Sequence, residues 1–338
     1  MNFGQPLRES IATDADSFAT QVLSAGEPVV LRDVAQHWPA VQAARRGDIG
    51  AYLKRLDRGA RSDLLVGDPA IGGRFFYDEG MRGFNFARRD ATISAVVDQL
   101  TAVTAAAARG EPVPSLAAQA TQAADAVPQF AVENPAPFPG IGAAPRLWLN
   151  NVVTVAAHND ASRNLAVVVA GRRRFTVFAP EDGELLYPGP IEFSPAGRPI
   201  SLVDFARPDL DRYPRFREAM ARARFAELEP GDAIYLPYMW WHHVQSLAPI
   251  NLLANYWWNE VAAPLPGLDL FDLIVHARIA FSAASPEQRH AWRAMLGQAL
   301  AEGALPQEIP ADRRGILGGI GDAARRALRA RLAAMLSQ

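Results

Sequence analysis

Asn164-Leu165-Ala166-Val167-Val168-Val169-Ala170-Gly171-Arg172-Arg173-Arg174-Phe175-Thr176-Val177-Phe178 is the stretch on which the fold turns. Two runs of β-branched and aromatic residues flank an Ala-Gly pair, the pattern of two strands joined by a tight hairpin. The same pattern recurs on both sides. Arg146-Leu147-Trp148-Leu149-Asn150, Ala233-Ile234-Tyr235-Leu236 and Ile250-Asn251-Leu252-Leu253-Ala254-Asn255-Tyr256-Trp257-Trp258 are short strand candidates, and Pro230-Gly231-Asp232 is a turn ahead of one of them. Many short strands with turn punctuation and few long helices between them predict an antiparallel sandwich or barrel, mainly β with flanking helices.

The flanking regions change period. Toward the N-terminus, Thr13 with Asp16 resembles a capping pair, Phe18 and Val22 share a helical face, and Gly26 marks a stop. Pro28-Val29-Val30-Leu31 reads as a buried strand, and Trp38-Pro39-Ala40 as a break before a helix around 49–56. A further helix is predicted over 92–108, between Asp90 and Gly110. Residues 104–144, rich in Ala, Pro and Gln, read as helix fragments and loop. After Trp258 helical spacing returns at 268–281, and Ser285-Pro286-Glu287-Gln288 combines an N-cap serine, a proline at the first helical position and a glutamine that can close a capping box. Residues 312–336 read as a last helical stretch interrupted at Gly318-Gly319. The chain is therefore divided into a β-rich region, 1–260, and a helical region, 261–338. The apolar face of that helical region must either pack on the core or pair with a second copy in a homodimer.

Composition narrows the chemistry. The chain has 338 residues, 49% hydrophobic and 21% charged, the balance of a globular protein. Lys and Arg total 34 against 36 Asp and Glu, so the net charge of -2 gives no reason to expect nucleic acid or anionic membrane as a partner. The opening residues lack the basic segment and apolar run of a signal peptide, and no apolar stretch approaches the roughly 18–20 residues of a membrane span, so a cytoplasmic location is the expectation. There is no cysteine, which removes thiol nucleophiles, iron–sulfur clusters and Cys-ligated zinc. Nitrogen and oxygen must hold any metal, and only six histidines are available.

Two of them stand in suggestive company. In His158-Asn159-Asp160, residues two apart in an extended segment point the same way, bringing an imidazole and a carboxylate to one point. Tyr238-Met239-Trp240-Trp241-His242-His243-Val244 can add a third ligand. Alternation says only that one of the two histidines faces inward. Two histidines and one carboxylate occupy one face of an octahedral ion and leave the other positions open, the arrangement of non-haem Fe(II) oxygenases.

At this point the chain resembles the JmjC and cupin-like Fe(II)/2-oxoglutarate oxygenases, in particular the branch related to the asparaginyl hydroxylase that inhibits hypoxia-inducible factor. The likeness runs through most of 27–260. It includes Pro28-Val29-Val30-Leu31-Arg32, Trp38-Pro39-Ala40, His158-Asn159-Asp160-Ala161-Ser162-Arg163-Asn164, Gly171-Arg172-Arg173-Arg174-Phe175, Glu229-Pro230-Gly231-Asp232, Trp240-Trp241-His242-His243 and Asn255-Tyr256-Trp257-Trp258.

The resemblance implies a double-stranded β-helix, a jelly roll of eight core strands with helices outside, and a metal at its open end. It assigns Fe(II) to His158, Asp160 and His242, the first histidine after the tryptophan pair. It implies 2-oxoglutarate as cosubstrate, its distal carboxylate on Arg173, where arginine replaces the family's lysine and can still meet a carboxylate with two hydrogen bonds. Arg172 and Arg174 would then point the other way. Asn164 and Asn255 match asparagines lining the site. The family's cosubstrate threonine falls on Val155, with Thr154 beside it as the substitute. The implied reaction consumes O2 and 2-oxoglutarate, releases succinate and CO2, and hydroxylates a protein or peptide side chain or a small metabolite. Trp148, Trp240, Trp241, Tyr256, Trp257 and Trp258 are candidate walls, and 183–224 is an insertion that offers a substrate or dimer surface. Demethylation of N-methyl-lysine is disfavoured, because no aromatic cage is identifiable. A cupin-like metal-binding or regulatory protein without turnover, or a cupin isomerase, is the competing class.

Overall fold

Strand order in a computed structural model describes the architecture. The residues described are 4–259 apart from 13 and 196, then 270–300, and the positions 310, 326, 327, 330, 331, 333 and 334. The strands are β1 (Gln5–Pro6), β2 (Arg8–Ser10), β3 (Val29–Leu31), β4 (Ser62–Gly67), β5 (Phe86–Ala91), β6 (Ser115–Gln122) and β7 (Arg146–Asn150). They continue as β8 (Thr154–His158), β9 (Arg163–Ala170), β10 (Arg173–Phe178), β11 (Arg224–Leu228), β12 (Ala233–Leu236), β13 (Trp241–Ser246) and β14 (Asn251–Trp258). One sheet runs β1-β11-β10-β13-β8 and the other β2-β3-β12-β9-β14-β7-β6-β4-β5. Of the last eight strands, successive ones lie in opposite sheets except β10 and β11, which pair with each other, the jelly-roll order, antiparallel throughout.

The central strands of the larger sheet are covered on both faces, which is why β9, β12 and β14 read as largely apolar runs. Leu165, Val167 and Val169 of β9 and Leu252, Ala254 and Tyr256 of β14 pack outward against helices Pro39–Arg45, Ile49–Leu56 and Ile93–Ala108. Their neighbours Ala166, Val168 and Leu253 point between the sheets, to Phe175, Val177, Leu228, Ile234 and Val244. Each Leu, Ile, Val or Phe among them, fully buried, contributes about 1.5–3 kcal/mol. The two layers follow from side-chain alternation along a strand.

Several expectations change. Ala170-Gly171 is no hairpin: β9 and β10 lie in different sheets, and the glycine turns the corner between them. Gly171 has φ +75°, and a Cβ there would lie 2.3 Å from Asn251 Oδ1 and 2.5 Å from the Ile250 carbonyl oxygen, so local composition mimics a hairpin where a tight corner is required. The first helix is capped by Asp14, whose carboxylate accepts from the Ser17 amide at 2.8 Å, rather than by a Thr13–Asp16 pair; Thr13 is outside the described residues. Trp38-Pro39 starts a helix instead of breaking the chain, since proline suits its first turn. Within 104–144 lies the strand β6, hidden by its alanines, followed by short helices Ala123–Ala126 and Gln129–Glu133.

The chain divides into two compact units, Met1–Leu268 and Asp269–Gln338. In the second, helices Leu270–Ala280 and Pro286–Leu300 are described. The expected capping box closes the start of the latter: the Ser285 amide donates to Gln288 Oε1 at 2.8 Å, and the Gln288 amide donates to Ser285 Oγ at 3.2 Å. Most of 312–336 lies outside the described residues. Among the described residues no helix is long and apolar enough to cross a membrane.

Candidate metal centre

His158 ends β8 and His242 opens β13, and the two are paired in register across the five-stranded sheet. Asp160 lies just past β8. Its carbonyl accepts from the Met239 amide at 3.0 Å, and the turn that presents this amide holds Met239 in the left-handed region, φ +63°. Asn259 ties down the next carbonyl, that of Ala161, at 3.1 Å. Ligand atoms of His158, Asp160 and His242 all lie within 4.8 Å of one another. His242 Nε2 is 3.6 Å from Asp160 Oδ2.

Backbone carbonyls set the tautomers. Nδ1 of His158 lies 3.0 Å from the Ala156 carbonyl, and Nδ1 of His242 lies 3.1 Å from that of Trp240. A carbonyl can only accept, so each Nδ1 carries the proton and each Nε2 lone pair is free for a metal. Burial, reinforced by the neighbouring His158, pushes the His242 imidazole down to about 4, which keeps it neutral near pH 7. Both histidines thus keep Nε2, not Nδ1, available to a cation.

The six residues His158, Asp160, His242, Arg173, Asn164 and Asn255 line one cavity of about 100 Å³ between the sheets. Arg173 is 2% exposed. Its guanidinium donates to the Trp148 carbonyl at 3.2 Å and, with the Asn150 amide oriented to satisfy its neighbours, to Asn150 Oδ1 at 3.0 Å. Its Nε has no partner, no carboxylate lies within ion-pair distance among the described residues, and burial alone pushes it down to about 9. Asn255 Nδ2 donates to Asn164 Oδ1 at 3.2 Å. The flanking arginines face away: Arg172 is exposed, and Arg174 lies over the Phe225 ring at 4.8 Å.

Thr154 is not in this cavity. The β8–β13 pairing slips, so that His158 meets His242 but Val155 meets Val244. That bulge lets two residues three apart, Val155 and His158, face the same cavity and turns Thr154 to the opposite side of the sheet. Of the candidate aromatic walls, Trp148 and Trp257 line the cavity. Trp240 belongs to the apolar interior, Trp241 packs under the insertion, and Tyr256 and Trp258 face the helical layer. The insertion seals the free edge of β8: Ile200 bridges to His158, and the Ser201 amide donates to the Ala157 carbonyl at 2.7 Å.

Gln119 is a cavity residue that sequence reasoning missed. It precedes Ala120, whose φ of +45° belongs to the bulge between Ala118 and Thr121 on β6. A polar residue in an alanine-rich strand was its only signal. The cavity's own chemistry supports an oxophilic cation with an anionic ligand. Asp160 Oδ2, Arg173 Nε, Asn255 Oδ1 and the indole nitrogens of Trp148 and Trp257 are all buried without partners. Buried polar atoms are nearly always satisfied, and these converge on one space.

Residues 15–263 match the family model described as a cupin-like domain. The Jumonji C domain-containing protein 5 of Drosophila melanogaster is 28% identical over 260 residues, 73% of this chain and 58% of that protein. The HSPB1-associated protein 1 of Homo sapiens is 36% identical over 123 residues, 36% of this chain and 25% of its own length. The lysine-specific demethylase JMJ31 of Arabidopsis thaliana is 31% identical over 114 residues, 33% of this chain and 20% of that protein. The aligned segment thus spans about a quarter of the HSPB1-associated relative.

Proposed function

The chain belongs to the JmjC/cupin-like family, and from that premise we propose that it is an Fe(II)- and 2-oxoglutarate-dependent dioxygenase that hydroxylates a protein or peptide side chain or a small metabolite. One observation carries the reading: a His-Asp-His cluster and a buried guanidinium without a carboxylate share a single cavity. When bound, Fe(II) with 2-oxoglutarate and O2 supplies the oxidation, one oxygen atom leaving in succinate beside CO2 and the other entering a substrate C–H bond as hydroxyl.

The chain's residues supply position and environment. His158, Asp160 and His242 would hold the metal on one face, leaving room for cosubstrate and O2. Arg173 would grip the distal carboxylate of 2-oxoglutarate, regaining the ion pair its burial denies it. Asn164 and Asn255 give the cosubstrate amide contacts. Trp148 and Trp257 keep bulk water out and offer indole N–H donors.

The demethylase names of relatives favour a second reading, in which the hydroxylated carbon is an N-methyl group lost as formaldehyde. The aromatic residues near the insertion argue for simple hydroxylation. Phe84 stacks on Phe86 at 5.2 Å and on Phe193 at 4.8 Å, and Tyr77 packs beside them, so the rings fill one another's faces instead of boxing an ammonium. Ile279, Trp292 and Met295 are exposed on the C-terminal helices, which supports pairing with a second copy there.

The test is anaerobic loading with Fe(II) and 2-oxoglutarate followed by O2. Succinate is expected from the wild type, at least 100-fold less from His158→Ala, and formaldehyde from an N-methyl-lysine peptide only if the second reading holds. Metal binding without succinate would leave a non-catalytic cupin-like binding protein. Trp292→Glu is expected to give a monomer by light scattering.

A further inference from the structure

The strands that carry the two histidines have another cavity on their opposite face. It holds about 220 Å³ and is walled by β8, β13, the segment 70–74 and the insertion. Neither the metal centre nor its cosubstrate accounts for it. Strand alternation separates the two spaces: Val155, His242 and Val244 face the first, and Thr154, His243 and Gln245 face the second.

Four polar side chains converge there, and only Arg74 has an internal hydrogen bond. His243 is 4% exposed, its ring stacked on Phe205 at 4.3 Å, and its Nδ1 is buried with nothing to bond. Among the described residues the side chains of Thr154 and Gln245 have no hydrogen-bond partner. The guanidinium carbon of Arg74 lies over the Phe76 ring, 3.6 Å from its centroid, which restricts where the group can go. Its one hydrogen bond is a long 3.5 Å contact to the Leu202 carbonyl, and no carboxylate stands within ion-pair distance among the described residues. Asp204 lines the same cavity and its charge reaches Arg74 and His243, while its carboxylate accepts from the Ala206 amide at 3.0 Å and lies 3.9 Å from the exposed Arg207.

We propose that this cavity is a second ligand site that takes a small carboxylate, gripped by Arg74 with Thr154, His243 and Gln245 as hydrogen-bonding partners. A guanidinium held over a ring by cation–π attraction keeps its N–H groups for a planar anion. The hydroxyl, the amide and the imidazole add neutral contacts. Asp204 on the wall makes a dianionic phosphate a poorer match than a monoanion. The volume suits an amino-acid-sized group. A free acid and an acidic side chain of a protein partner offer the same chemistry. Because the site backs directly onto β8 and β13, its occupant would also brace the pairing that holds His158 opposite His242.

The experiment is a titration of the full-length chain with acetate by saturation-transfer NMR, with thermal unfolding recorded for every variant. Arg74→Gln and Gln245→Glu are each expected to weaken acetate at least fivefold, and Thr154→Val about twofold, with unfolding temperatures near the wild type. Arg173→Gln serves as control and is expected to leave this component in place. Acetate binding that is lost in Arg173→Gln and unchanged in Arg74→Gln and Thr154→Val would overturn the proposal. Replacing acetate by a blocked glutamate identifies the source: tighter binding assigns an acidic side chain, weaker binding a free acid. Succinate formation is measured separately, so failure here is distinguishable from failure of the oxygenase reading.

Discussion

Residues that alternate along β9 and β14 meet two different environments. Leu165, Val167, Val169, Leu252, Ala254 and Tyr256 face the helices in a layer that is apolar and closed. Asn164, Leu253, Asn255 and Trp257 face the space between the sheets, where polar atoms stand without partners around a cavity. Same strands and same backbone hydrogen bonds thus give one face that stabilises and one that holds polar groups ready for a ligand. The lesson is a division of labour at single-residue resolution. Mutations on the two faces should separate stability from binding.

The largest expected effect lies in the outer layer. Trp38 is fully buried, edge-on to Phe130 and Tyr256 at 6.4 and 6.5 Å. Trp38→Ala should cost about 3–5 kcal/mol in urea unfolding, while whatever remains folded still binds metal with near wild-type affinity. The inner face should behave oppositely. Arg173→Leu removes a buried cation that has no carboxylate, so stability should hold or rise slightly, whereas 2-oxoglutarate affinity measured with Mn(II) should fall about 100-fold, or roughly 2.7 kcal/mol. A stability loss as large as that of Trp38→Ala would break the comparison.

Acid separates the faces next. Burial pushes His242 down to about 4 and His243 to about 3, whereas in the unfolded chain both titrate near the ordinary value of about 6.5. The unfolded state therefore binds more protons between those limits. Stability of chelator-treated protein should be complete above about pH 6.5 and fall below it, by roughly 1.4 kcal/mol per pH unit for each histidine, until the folded values are reached. Urea melts from pH 7.5 to 4.5 measure the slope. His242→Leu should remove about half of it, and an unchanged slope would show that the inner-face histidine does not set the acid limit.

These contrasts were partly legible in the chain. The β-branched runs announce strands whose two faces are both buried, and period two alone puts Arg173 opposite to Arg172 and Arg174. The His158–Asp160 pair is likewise a local signal, although choosing His242 over His243 needed the family pattern. Long-range facts were not legible. β4, β5 and β6 extend the larger sheet through Ser62–Gly67, the charged Phe86–Ala91 and the alanine-rich Ser115–Gln122, none of which has the composition of a strand. Pairing decided their structure, not propensity. The hairpin reading of Gly171 failed for the same reason, since a positive φ serves a corner as well as a hairpin. Thr154 was displaced by a bulge, which no period predicts.

The smallest expected effect concerns the other bulge, on β6, where the functional face borrows backbone strain. Ala120 sits at φ +45°, a conformation that costs an L-residue about 1–2 kcal/mol. Ala120→Gly removes that strain but frees the unfolded chain, a loss of roughly 0.5–1 kcal/mol, so the net change should stay under about 1 kcal/mol and favour the folded state. Its effect on the site should have the opposite sign. Gln119 reaches the cavity because the bulge aims it there, and a glycine beside it loosens that aim. A slightly more stable protein with a KM for 2-oxoglutarate or substrate raised a few-fold, and kcat little changed, is the expected result. A more stable protein with unaltered KM would mean that the strained bulge serves the sheet and not the cavity, and Gln119 would then belong with the walls that merely enclose the site.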